Sequence, residues 1–63
     1  MAKLKDLTLL DIDKEAILRD PETDTDILGF VIADPLYVGK LAFRAKDNGD
    51  IINIFLTDEI YFV

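Results

Sequence analysis

The 63-residue chain contains no histidine, cysteine, serine, glutamine or tryptophan. The first three absences remove most catalytic chemistry. Without histidine, no side chain has an unperturbed pKa near neutrality. Without serine or cysteine, the common activated nucleophiles are missing. Thr8, Thr23, Thr25, Thr57, Tyr37, Tyr61, the lysines and the carboxylates remain, but none has a base in a familiar pairing. The chain is therefore expected to be non-enzymatic, with no catalytic residue. Zinc, haem and iron–sulfur centres built on His or Cys go with them, and no cofactor is expected. Lack of cysteine also fits a reducing compartment.

Long hydrophobic runs are missing too. The longest uncharged stretches, 27–33 and 51–57, are seven residues each, against the ~20 that a spanning helix needs. Met1-Ala-Lys-Leu-Lys5 is a basic start, but Asp6, Asp11 and Asp13 interrupt any signal-like apolar core. The expectation is a cytoplasmic protein with no membrane partner.

What the chain does contain is apolar and acidic. Sixty-three residues make one domain, close to the lower limit for folding alone, and no disulfide or zinc staple can assist. Yet 51% of the residues are hydrophobic, more than so small an interior can hold. Burial between copies reconciles the two, so a homo-oligomer is expected. Seven basic residues face thirteen acidic ones, a balance that repels nucleic-acid phosphates, and direct nucleic-acid binding is not expected. The acidic excess keeps an apolar chain in solution; the alternative is a surface that imitates DNA and blocks a nucleic-acid-binding protein.

Turn residues divide the chain. Asp20-Pro-Glu-Thr-Asp-Thr-Asp26 is a polar loop, Asp34-Pro35 a second break, Asn48-Gly49 a third and Thr57-Asp58-Glu59 a fourth. Between them lie 27–33, 36–46, 50–56 and 60–63, rich in Ile, Val, Phe and Tyr as strands are. Asn48-Gly49 favours a two-residue type I′ turn, since both central positions need positive φ. Folding about it pairs Ala45 with Ile52, Phe43 with Ile54 and Leu41 with Leu56 on one face. Segment 27–33 is apolar on both parities, as for a strand covered on both faces or lying in an interface. Residues 3–19 read as two strands or one short helix, with 15–20 able to pair with 27–33 across the polar loop. The fold expected is all-β, a small antiparallel β-meander of five to six strands, forming a curled sheet or barrel.

Two constellations bear on function. Asp20, Glu22, Asp24 and Asp26 alternate as the early ligands of a calcium loop do, but Thr25 replaces the glycine at the sixth position and no glutamate stands at the twelfth. A solvated loop is the expectation, and a weak divalent-ion or small-ligand site the alternative. Gly39-Lys-Leu41 with Asn53-Ile-Phe-Leu-Thr-Asp-Glu59 resembles pieces of the first motif of the Sm-like RNA-binding fold. The two pieces stand further apart than in that family, and the Arg-Gly step of its second motif is absent, so no family assignment follows.

The apolar segment Ile60, Tyr61, Phe62 and Val63 is expected to be a strand of the sheet that contributes to an interface. The function expected is a self-associating protein-interaction module that binds an unidentified protein partner. Its small size suits a phage or mobile-element accessory or structural protein.

Overall fold

A computed structural model describes residues 1–63 as one five-stranded antiparallel sheet. The strands are β1 (Glu15–Asp20), β2 (Thr25–Ala33), β3 (Leu41–Ala45), β4 (Ile51–Ile52) and β5 (Glu59–Phe62), and their order across the sheet is β4-β3-β2-β1-β5. The first four form a meander. β5 returns to lie beside β1, so residues 53–58 cross from one edge of the sheet to the other, a Greek-key-like return. That crossing delivers Ile54 to the core at 7% exposure. The sheet curls and does not close into a barrel.

Period-two alternation sorts the side chains. Ala16, Leu18, Val31, Phe43 and Ile60 share the inner face and are buried. Ala2, Leu4, Leu7, Ile27 and Ile52 pack around this core. Phe43 is fully buried beside Gly29, and here the glycine is a packing requirement. A methyl group there would collide with the Arg44 carbonyl oxygen and stand 2.7 Å from the Phe43 ring.

Residues 3–19 contain one strand rather than two, preceded by two 3-10 turns, Leu4–Asp6 and Leu9–Asp11. Each turn is closed by the same device. The Lys3 N–H donates to the Asp6 carboxylate and the Thr8 N–H to that of Asp11, both at 2.9 Å. A third copy closes the crossing segment, where the Phe55 N–H donates to Asp58 at 2.9 Å. In all three, leucine is the second residue and aspartate the fourth: Lys3-Leu-Lys-Asp6, Thr8-Leu-Leu-Asp11 and Phe55-Leu-Thr-Asp58.

Three expectations need correction. Segment 36–46 is strand only over Leu41–Ala45, because Asp34 Oδ1 accepts the N–H groups of Leu36 and Tyr37 and holds 34–40 as a loop. Segment 50–56 is strand only over Ile51–Ile52, because the Asp58-closed turn draws the chain out of the sheet. Asn48-Gly49 is not a type I′ turn. Only Gly49 takes positive φ (74°), and residues 46–49 form a four-residue loop closed by Gly49 N–H to the Ala45 carbonyl, 2.9 Å. Phe43 consequently pairs with Ile52 and Arg44 with Ile51, two residues from the expected register. An even shift keeps Ile51 and Ile52 on their expected faces, whereas Leu56, expected opposite Leu41, lies beyond the strand and is exposed.

Candidate functional site

The second face of the sheet is largely open, although Ala42 on β3, paired with Ile32, is fully buried there. In a half-solvated antiparallel sheet the outer residues are normally polar. Here the central row runs Leu28 on β2, Ile17 on β1 and Tyr61 on β5. Phe30 and Ile32 extend it along β2, and Ile51 lies on the β4 edge. Leu28, Tyr61 and Ile51 are 43%, 40% and 48% exposed.

Charges border this surface asymmetrically. Arg44 lies on β3, directly across from Phe30, with its guanidinium 5.5 Å from the ring centroid and no carboxylate in ion-pair range. Glu15 flanks Phe30 on the opposite side, from β1, and accepts from Lys46 Nζ at 3.0 Å. Arg19 pairs with Asp24 and with Asp26, the latter at 3.0 Å, and stands 3.9 Å from Glu59. The Tyr61 hydroxyl donates to Glu59 at 2.7 Å. That hydrogen bond, aided by some desolvation, holds the phenol above its ordinary pKa.

The two ends of the sheet differ in chemistry. At one end lie the 20–25 turn, the 46–50 loop and the start of β5, which bring together Asp20, Glu22, Asp24 and Asp26 with Asp47, Asp50, Asp58 and Glu59. Arg19, Lys46 and Lys3 oppose them, Lys3 Nζ donating to the Thr57 carbonyl at 3.3 Å. A cleft of about 160 Å³ opens here between Leu18, Ile27, Ile52 and Phe55, with Asp20 and the buried Asp58 also in its lining. At the other end, the 34–40 loop presents Leu36, Tyr37 and Val38 at 80%, 64% and 103% exposure, with Leu9, Leu10 and Val63 also exposed. Asp11 lies at this end, below the usual carboxylate range because the Thr8 N–H, then Lys14, favours its charged form.

The expected site residues separate on inspection. Of Ile60, Tyr61, Phe62 and Val63, Ile60 is fully buried and unavailable to a partner, because its side chain points inward between Leu18 and the Ala2 bridge. Tyr61 belongs to the outer face. Phe62 lies at the β5 edge with Lys14 Nζ 5.3 Å from its ring, and Val63 is exposed. Asp20, Glu22, Asp24 and Asp26 do not converge: no three carboxylates are placed to hold a metal ion. Asp20 accepts the Glu22 N–H at 3.0 Å, while Asp24 and Asp26 hold Arg19. The apolar outer positions of β2 were visible in the sequence as a segment apolar on both parities, but the row they form with Ile17 and Tyr61 depends on the strand register.

Comparison with known protein families, with curated proteins and with solved structures finds no match to this chain. No helix is long and apolar enough to cross a membrane.

Proposed function

We propose that the chain is a non-enzymatic, cytoplasmic protein-interaction module that self-associates and docks a second protein. One observation carries the reading: thirteen large hydrophobic residues remain exposed on a surface of 4399 Å². Scattered singly, such residues mean nothing, but contiguous ones rimmed by charge mark interaction surfaces. Here nine of them fall into two groups, Leu28, Ile51 and Tyr61 on the outer sheet face and Leu9, Leu10, Leu36, Tyr37, Val38 and Val63 at the end bearing the 34–40 loop, while Phe55 and Leu56 lie on the crossing segment. Light scattering at micromolar concentration tests self-association directly. The expected mass is a multiple of 7.1 kDa. A folded monomer across the accessible range would overturn that part of the reading.

A second reading, an acidic imitation of DNA, draws on the gathering of eight of the thirteen acids at one end. It requires a basic partner protein whose binding weakens steeply with salt and competes with duplex DNA. Affinity capture from the source cell separates the two: a DNA-processing enzyme eluted by salt supports the imitation, and salt-resistant apolar capture supports the module.

A further inference from the structure

We infer that two copies of the chain meet through their outer sheet faces, about a two-fold axis running parallel to β2. The inference rests on the self-association proposed above and adds which surface is used and in what orientation. β2 is the middle strand of the five, and Phe30 and Leu28 stand at its centre. Arg44 and Glu15 flank Phe30 on opposite sides, one strand away in each direction. Sheets that stack face to face lie about 10 Å apart with their strands roughly aligned.

A two-fold axis along β2 exchanges left and right while preserving height along the strands. It sets Phe30 and Leu28 against the same residues of the second copy. It also lays Arg44 of each copy over Glu15 of the other, forming two symmetric ion pairs around an apolar centre. Arg44 has no carboxylate partner within its own chain, while Glu15 would share its carboxylate between its own Lys46 and the incoming guanidinium. An in-plane axis perpendicular to the strands would instead stack β3 on β3, bringing Arg44 toward Lys46 of the other copy. Electrostatic complementarity therefore selects the first arrangement and disfavours the second. A standard interface takes about 800 Å² per partner, under a fifth of the 4399 Å² this chain exposes.

The test is a charge swap. Arg44→Glu alone and Glu15→Arg alone each place like charges together twice, and each should weaken dimerisation more than tenfold. Mixing the two variants restores both opposite-charge pairs, so the mixture should form a heterodimer by sedimentation. A second probe is independent of charge and uses the chain's lack of cysteine. Leu28→Cys, next to the axis, should be joined to its counterpart by a short bis-methanethiosulfonate linker, since facing strands about 10 Å apart lie beyond the reach of a disulfide. Leu36→Cys, at a position more exposed than Leu28, should not. Variants that stay dimeric alone, a mixture that fails to pair, or equal cross-linking at both positions would overturn the arrangement while leaving self-association intact. A monomeric wild type would overturn both.

Discussion

Gly29 is the residue on which the core depends most directly. Its missing side chain lets the Arg44 backbone and the Phe43 ring approach β2, and Phe43 is the largest fully buried side chain. Overpacking typically costs about 1–3 kcal/mol, but here the obstruction is backbone, which cannot rotate away. Gly29→Ala should lose about 3 kcal/mol in urea titration, a large share of what so small a domain has. An unchanged midpoint would mean that β2 and β3 separate more easily than the packing implies. Tyr61 offers a second test at this scale. Its hydrogen bond to Glu59 raises the phenol above its usual pKa, so the neutral form is favoured in the folded chain. The associated stabilisation is present below the unfolded value of about 10 and is lost as pH rises through the folded value. In a Tyr37→Phe background, where Tyr61 is the sole tyrosine, the tyrosinate absorbance should titrate above that reference, and Glu59→Gln should bring it down.

At the scale of elements, the recurring device is the aspartate that accepts a backbone N–H three residues earlier. Asp58 is 4% exposed, so Asp58→Ala would leave the Phe55 N–H without its acceptor beneath the crossing segment. A loss of about 1–3 kcal/mol is expected, and more than for Asp6→Ala, whose turn is exposed. Asp11 makes the same bond with its carboxylate held below the ordinary range. Its stabilisation is therefore present above about pH 4 and lost as pH falls through the depressed value. The stability difference between wild type and Asp11→Asn should be flat above that pH and shrink below it. These turns explain which strands could be read from the sequence. β2 was legible because 27–33 is rich in β-formers beside the turn-dense 20–26, whereas β1, Glu15–Asp20, mixes Glu, Ala and Leu with one Ile and was also readable as a helical turn. Leu36, Tyr37 and Val38 also have strand-forming character, but two hydrogen bonds to Asp34 hold them in a loop. Side-chain capping of this kind competes with the ladder and leaves no periodic signal. Asn48 and Gly49 were both legible as turn residues, but not the turn type: the four-residue loop needs positive φ at the glycine alone, and Asn48 serves it by accepting the Asp50 N–H at 3.0 Å.

Over the whole molecule, the apolar excess was visible in composition, but its division between an open sheet face and one end of the sheet depends on topology. Ile60 illustrates the gap. In the four-residue strand Glu59–Phe62, alternation separates Ile60 from Tyr61 without saying which points inward; pairing of Ile60 with Leu18 decides it. The acids behave likewise. Residues 20–26 and 47–50 are distant in sequence, and the meander brings them to the same end, where they repel one another. Repulsion of this kind is long-range and screened by salt, and no three carboxylates converge there. Raising NaCl at neutral pH should therefore increase the melting temperature smoothly. Millimolar Ca²⁺ at matched ionic strength should give the same curve as NaCl. An ion bound only by the folded state must add stability that grows with its concentration. A saturable rise specific to Ca²⁺, removed by Asp20→Asn or Asp24→Asn, would show that the 20–26 loop rearranges to hold a cation.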